Sequence, residues 1–455
     1  MELIAQSLPI LMILVFAGII FTGFPVALLL AGVGVAFGFI GYLVGEFPLV
    51  AFFNYPVRIY GMIGQSLIYP AIPMLLFMGV AFEKSGVARE MLLCLQVLLR
   101  RVPGRLAVAV TVLGILLGPL PGLIGASVAT LALLALPTML DQKYHPQLAT
   151  GSIAAAGTLG VIIPPSVMLF ILAGQMQVPM GHVFLATLIP GISLGLLYIA
   201  YYIVRCTFDP GAAPQGAVVP VKGVGHLLLY AIRSLVLPVA LISLVLASFI
   251  AGWATPSQSG AIGAVGGVGL MILNRHFSLR LMHEAIVTTL LMTSMVFFVV
   301  IAAGMFSFPF QYFGGNDLIA NFLHGIGLGD WGMLIVILAI IFFLGFFIDW
   351  IEITIITLPI FLTVLETLDF SGYVGNPDMV LVWVGVLIAL VLQTSFMTPP
   401  FGFALFFVKG ASPPSIKLTD VYRGIVPLVF IQLAMVNMVM LLPALATWLP
   451  TLALE

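Results

Sequence analysis

The chain has 455 residues, 62% of them hydrophobic and only 7% charged, with a mean hydropathy of +1.27. A soluble domain carries about 25% charged residues, so a water-soluble enzyme is excluded, no nucleic-acid partner is expected, and the lipid bilayer is the partner this composition demands. The net charge of −1 says little, because the distribution of charge matters here and the sum does not.

In chain order, apolar runs long enough to span lie near 8–24, 25–44 and 64–84. The N-terminus has no cationic leader region and no small-residue cleavage site, so the first run is expected to be a retained helix. Residues 86–99 interleave Arg89, Glu90 and Gln96 with Leu, the pattern of an interfacial arm lying along the bilayer. Segment 104–140 reads as two half-membrane runs around a Gly-bearing turn, a re-entrant hairpin. Runs at 148–174 and 184–204 follow. The stretch 207–226 is Pro- and Gly-rich and polar, and 206–232 is expected to be a cytoplasmic linker. The second half brings runs at 233–253, 257–273 and 284–308, a second hairpin at 331–366, and runs at 379–408 and 424–449.

The two halves, 1–205 and 233–455, repeat each other. Thr22–Gly34 matches Trp253–Val265, with Pro25 on Pro256 and Gly32 on Gly263. IGASVATLALLALPTML (124–140) matches IDWIEITIITLPIFL (348–362). GTLGVIIPPSVMLFILAG (157–174) matches QTSFMTPPFGFALFFVKG (393–410). Pro-Pro breaks both copies of the last segment, so 148–174 and 379–408 are expected to be broken helices. Paired interrupted spans in two halves mark an inverted-repeat secondary transporter. The expected fold is therefore an all-α polytopic membrane protein with two inverted-topology repeats. It has ten membrane-spanning helices, two of them broken, and two re-entrant hairpins. In this arrangement fourteen of the fifteen Lys and Arg fall on one side and only Arg58 on the other. The positive-inside rule makes the first side cytoplasmic and places both termini outside.

Asp349 and Glu352 are the only carboxylates deep in an apolar stretch, and no Lys or Arg lies in the adjacent runs to pair with them. An intramembrane acid is costly and points to function. A hard cation such as Na⁺ wants oxygen ligands. Asp349, Thr354, Thr394, Ser395 and Thr398, with carbonyls freed around Pro399, Pro400 and Gly402, offer them. Asp349 also fits the N-cap of the hairpin's second arm, and Glu352 stands at the capping-box spacing, which favours a structural role. In the first half Ser127 sits opposite Asp349. Ser127, Thr130, Thr158 and Ser166 are neutral oxygens, and Gly122, Gly125 and Gly157 permit close backbone approach. A second cation site of carbonyls and hydroxyls fits these residues, as does ordinary small-residue helix packing. Pro164, Pro165, Ser166, Pro399, Pro400 and Glu352 are expected to face a substrate held between the hairpin tips, where helix N-termini favour an anion.

Other signals carry no chemistry. Gly191-Ile-Ser-Leu-Gly195 matches a nucleophile pattern but lies in an apolar run with no strand before it. Cys94 and Cys206 are isolated, and the six histidines lack metal spacing. No phosphate-binding loop is present, so ATP is not the direct energy source. No catalytic residue, organic cofactor or metal beyond Na⁺ is expected.

The motifs PGLIGASVATLALLALPTML, LATGSIAAAGTLGVIIPPS, FFIDWIEITIITLPIFL and LQTSFMTPPFGFALF resemble the large membrane subunit of tripartite ATP-independent periplasmic (TRAP) transporters over nearly the whole chain. The resemblance implies an elevator-type, Na⁺-coupled importer of a small organic acid in the bacterial inner membrane, with a fold of the ion-transporter superfamily. It implies two partners, a small four-helix membrane subunit and a periplasmic substrate-binding protein. Asp349 falls on the family's Na⁺-associated hairpin aspartate, and Ser127 on the end of a tip that is Ser-Gly-Ser in many members. Here the tip reads Ile124-Gly125-Ala126, two hydroxyls fewer. The motif variants resemble the subgroup linked to 2-oxo acids, mannitol and chloroaromatic acids rather than the sialic acid subgroup. A stand-alone Na⁺/dicarboxylate symporter shares the same hairpin plan and is the alternative.

Overall fold

Pro and Gly punctuate the apolar sequence, and several helices begin or end at them. The computed structural model describes residues 2–66, 69–117, 124–214 and 231–454, and among these every regular element is helical. The first half of the chain holds α1 (Glu2–Ile19), α2 (Val26–Val44), α3 (Asn54–Ile59), α4 (Ala71–Lys84), α5 (Val87–Leu98), α6 (Arg105–Leu117), α7 (Ile124–Asp141), α8 (Pro146–Leu159), α9 (Val167–Gln175) and α10 (Met180–Phe208). The second holds α11 (Leu237–Ile250), α12 (Pro256–Leu273), α13 (Leu279–Tyr312), α14 (Gly315–Gly325), α15 (Gly329–Leu344), α16 (Trp350–Leu365), α17 (Ser371–Val374), α18 (Val380–Met397), α19 (Phe403–Gly410), α20 (Leu418–Leu441) and α21 (Ala444–Leu454). The tip residues 118–123, which include Gly122, and linker residues 215–230 lie outside the described residues.

Local chemistry explains the boundaries. Pro25 precedes α2, and Gly45 in the left-handed region (φ +88°) closes it. The matching α12 opens with Pro256 at its first position and a capping box between Thr255 and Gln258. Gly86, at φ +71°, sits where α4 and α5 meet at a 60° bend.

The structure adds to or changes the sequence reading in four places. Residues 49–64, preceded by Pro48 and carrying Pro56, had no assignment and are helical: a 3-10 turn, α3 and a π-turn. Both prolines stand where a helix tolerates them, before a first turn or within it. The final run 424–449 is two helices, because Leu442 precedes Pro443 and is driven out of the helical region (φ −127°, ψ 77°). α7, expected to be a half-membrane arm, has 18 residues and is about 27 Å long. The amphipathic α14 was not anticipated; it sits at the repeat offset from α5. By length and apolarity seven helices can cross a bilayer, or eight if the bent α4–α5 pair is one span. Most of the remaining runs are cut short by Pro and Gly.

Packing sorts the helices into two groups. α1, α2, α4, α11, α12 and α13 pack on one another. Gly260, Gly263 and Gly267 of α12 bring that helix against α4, and a Cβ on Gly263 would strike Met78. The second group holds α6 to α10, α15, α16 and α18 to α21. α8 and α20 meet where Gly151 faces the Gly424 backbone, too close for any side chain. α5 bridges α4 to α6 and α14 bridges α13 to α16, and the two groups also touch directly where α13 packs on α16 and α4 on α9.

Candidate functional site

The site is built where three described helix interruptions and the start of α7 come together in the second group. α6 and α7 form one hairpin and α15 and α16 the other. α8 and α9 are the halves of the first broken helix, α18 and α19 those of the second. The second arms cross between repeats: α7 packs on α19 of the second broken helix, and α16 on α9 of the first.

In the first break the chain turns at Leu159, passes the cis Pro164-Pro165 bond and restarts at Ser166. Ser166 Oγ donates to Val161 O at 2.9 Å, which ties the loop to itself. Residues 157–166 are all buried. The second break runs through Thr398 and the cis Pro399-Pro400 bond to Gly402. Gly402 N–H donates to Thr398 O at 3.1 Å. A Cβ on Gly402 would collide with Phe396 O, so the tight turn needs glycine there. Tyr422 OH donates to Pro400 O at 2.7 Å from α20. In contrast to the first break, Thr398 and Pro399 are half-buried and Pro400 is exposed.

The two breaks touch. Thr158 Oγ1 lies 2.8 Å from Met397 Sδ and 2.9 Å from Ala155 O, all buried. Each hairpin tip reaches a broken helix. A Cβ on Gly157 would strike Val128, one residue beyond Ser127 on α7, and one on Gly125 would enter the Phe407 ring of α19. A Cβ on Gly345, where α15 ends, would overlap Ser395 Oγ of α18. The second hairpin tip is therefore seated on the turn of α18 that carries the expected hydroxyl ligands.

Those hydroxyls are committed as donors. Thr394 Oγ1 donates to Leu390 O, Ser395 Oγ to Leu392 O and Thr398 Oγ1 to Thr394 O, each at 2.7 Å. Their lone pairs remain to accept or to coordinate. They do not share one face, however. Thr394 lines an apolar cavity of about 200 Å³ among Ile335, Leu338, Phe342 and Met440 of α15 and α20, whereas Ser395 meets Gly345. Thr130 is likewise turned away: its Oγ1 donates to Glu83 of α4 at 3.1 Å, across to the first group of helices.

Asp349 caps α16. Its Oδ1 accepts from Trp350 N–H at 2.8 Å, and Glu352 Oε2 accepts from Asp349 N–H at 3.4 Å, closing a long capping box. Asp349 is half-buried and Glu352 buried, and among the described residues the ion pairs all belong to Glu284, which takes Lys84 and Arg280. One lone pair set of Asp349 therefore stabilises the helix start, and the charge itself has no protein counter-charge.

Sequence reasoning missed three polar features. Gln393 is fully buried with neither amide atom partnered. Trp350 Nε1 on α16 is also buried and unpartnered, as is Thr354 Oγ1, which the sequence had already offered as a cation ligand. Tyr198 OH on α10 donates to Gln432 Oε1 on α20 at 3.1 Å inside the second group. Each is a polar residue in an apolar run, and that alone was a readable signal.

A family profile described as "Tripartite ATP-independent periplasmic transporter, DctM component" matches residues 13–445. Three relatives carry different substrate names at the same 24% identity. The C4-dicarboxylate TRAP transporter large permease protein DctM of Pseudomonas aeruginosa matches 84% of this chain and 85% of its own length. The sialic acid TRAP transporter large permease protein SiaM of Vibrio cholerae matches 96% and 97%. The isethionate TRAP transporter permease protein DctMQ of Oleidesulfovibrio alaskensis matches 94% of this chain, which spans 64% of that longer protein. Among solved structures, the Alcanivorax borkumensis YdaH transporter superposes with a TM-score of 0.57 at 15% identity over 88% of each chain, a likeness of fold. The relatives are permeases, not enzymes.

Proposed function

We infer, from the premise that the chain belongs to the DctM-component family of tripartite ATP-independent periplasmic transporters, that it imports a small organic acid across the bacterial inner membrane by Na⁺ symport. The observation that carries this reading is the meeting of the two broken helices at Thr158 and Met397, with a hairpin tip from each repeat seated beside them. Such a junction puts freed carbonyls, hydroxyls and helix ends together at mid-membrane, which is where inverted-repeat transporters hold ions and substrate. Asp349 supplies charge without a protein cation to neutralise it, and a co-transported Na⁺ is its counter-charge. Ser395 and Thr398 join it at the second site. Ser127, Gly125, Gly157 and Thr158 form the thinner first site. The anion lies between the tips, near Ser166 and the two Pro-Pro turns, its charge balanced by the bound cations. A 2-oxo acid is the substrate class the motif variants favour.

The chain crosses the membrane ten times, counting each broken helix once and neither hairpin, with both termini periplasmic. The first group of helices is the static scaffold and the second is the transport domain, which slides as an elevator. The family's tripartite description supports two partners: a small four-helix membrane subunit docked on the scaffold, and a periplasmic binding protein that delivers the acid.

The test is uptake into vesicles carrying this chain with both partners. Uptake should follow an inward Na⁺ gradient and vanish when choline replaces Na⁺. Uptake that ignores Na⁺ would remove the coupling. Full uptake without the binding protein would favour a stand-alone symporter.

A further inference from the structure

Two cavities flank the end of α9, and Gly174 and Gln175 line both. The first, of about 230 Å³, is walled by Met62, Ser66 and Tyr69 on one side and by Ile171, Gly174 and Gln175 on the other. It straddles the border between the two groups of helices. Met62 Sδ lies against Gly304 of α13, and Tyr69 stands edge-on to Phe297 of the same helix with ring centroids 6.1 Å apart, so this wall belongs to the first group. The opposite wall is α9 of the second group, which meets α4 here. Met62, Ser66, Gly174 and Gln175 are half-buried, so the cavity opens to the surface.

The cavity holds donors that the protein does not use. Gln175 Nε2 donates to Tyr69 OH at 3.5 Å, and Tyr69 is 7% exposed. The phenol oxygen is the acceptor in that contact, and among the described residues no group accepts its proton. A buried hydroxyl proton calls for an acceptor. Gln175 Nε2 also carries a second N–H. Two neutral donors side by side suit the two oxygens of a carboxylate, which accepts and cannot donate. Met62 and Ile171 offer apolar contact to a short carbon chain. Among the described residues no charged side chain lines this cavity. Glu366 lines the second one, of about 260 Å³, with Gln177 and Thr363, and its charge repels an acid from that side of Gln175.

The place in the fold gives the cavity a use. α9 starts beside the first Pro-Pro turn and ends at Gln175, nine residues and about 14 Å away. In the topology proposed above that end is periplasmic. We propose that the cavity is an outer waiting site for the transported acid, with Tyr69 O–H holding one carboxylate oxygen and Gln175 N–H the other before the acid passes along α9 to the hairpin tips. Neutral donors hold the acid here, so this site needs no Na⁺, unlike the position between the tips. Each group of helices supplies one wall, so the site exists only while the groups stand as they do in this arrangement. The proposal rests on the organic-acid import reading above.

The test is equilibrium binding of radiolabelled pyruvate to purified full-length protein in choline chloride without Na⁺. The wild type should bind it saturably, and methyl pyruvate, which lacks the carboxylate, should not displace it. Tyr69→Phe removes the free proton, and Gln175→Glu replaces the donor with a repelling charge. Each should weaken binding about tenfold or more, the equivalent of one charge-assisted contact. Glu83→Cys/Thr130→Cys, oxidised to hold α4 against the first hairpin, should bind pyruvate at least as well as when reduced. Wild-type affinity in both single variants would overturn the proposal, and so would a lower melting temperature as their only change, the mark of a purely structural contact. Loss of binding on oxidation would assign the site to another arrangement of the helices and overturn it too. A wild type with Na⁺-driven uptake but no binding without Na⁺ would remove the waiting site alone. Binding retained in a protein whose uptake ignores Na⁺ would remove the coupled reading alone.

Discussion

Asp349 offers two roles, and replacing it with Asn separates them. As an N-cap, Asn is about as good as Asp, so the start of α16 should keep its Trp350 N–H acceptor and lose at most a few tenths of a kcal/mol. Asp349→Ala removes the acceptor as well and should cost about 1 kcal/mol in stability. As a cation ligand, the carboxylate supplies the only negative charge at the tip apart from Glu352, and no Lys or Arg pairs with either among the described residues. Losing a charge-assisted contact to a desolvated Na⁺ costs about 1.5–3 kcal/mol, which corresponds to roughly a tenfold to hundredfold higher half-saturating Na⁺. The assay pairs Na⁺ titration of uptake in reconstituted vesicles with thermal unfolding of the same preparations. Asp349→Asn should unfold like the wild type and fail on Na⁺. Asp349→Asn with unchanged Na⁺ dependence would reduce Asp349 to a helix cap and refute the reasoning.

Three further outcomes follow from the geometry. Ser127→Ala and Thr158→Val should each raise the half-saturating Na⁺ concentration in vesicle uptake more than they lower protein abundance on a quantitative blot; a fall in abundance alone would favour helix packing as their role. Gly345→Ala should push the second hairpin off Ser395, at a cost of about 1–3 kcal/mol in a melting curve for forcing a methyl into a filled contact; an unchanged melt would mean the tip yields freely. Gln432→Leu leaves the buried Tyr198 hydroxyl without its acceptor and should cost about 1–3 kcal/mol, most of it recovered by adding Tyr198→Phe, as a double-mutant cycle would measure.

Much of this was legible because Pro and Gly act locally. Pro25, Pro256 and the two Pro-Pro turns mark helix starts and breaks whatever surrounds them. The paired motifs were legible as letters alone, since each copy carries its own Pro-Pro turn and Gly-bearing hairpin. What escaped the sequence depends on long-range contact. Nothing local says that Thr130 reaches Glu83 on another helix, or that Thr394 faces α15 and α20 while its neighbour Ser395 meets the hairpin. Gln393 read as one more letter of a motif, and only the structure shows both ends of its amide buried without a partner. α14 was overlooked for a different reason. Its Gly314-Gly315 start and Asp317 resemble a loop, and only the repeat offset from α5 would have identified it.

Import by alternating access requires the hairpins to move against the scaffold, and Thr130 and Glu83 offer the place to ask whether they do. Their side chains meet at 3.1 Å, one on the first hairpin's second arm and the other on α4, and the two native cysteines are buried elsewhere. The decisive measurement is uptake by a Glu83→Cys/Thr130→Cys protein before and after disulfide formation, then after reduction. Oxidation should abolish Na⁺-driven uptake, reduction should restore it, and the binding protein should dock in both states. Full uptake by the oxidised protein would show that α4 and the first hairpin stay together through the cycle, and the division into static and moving groups would be wrong.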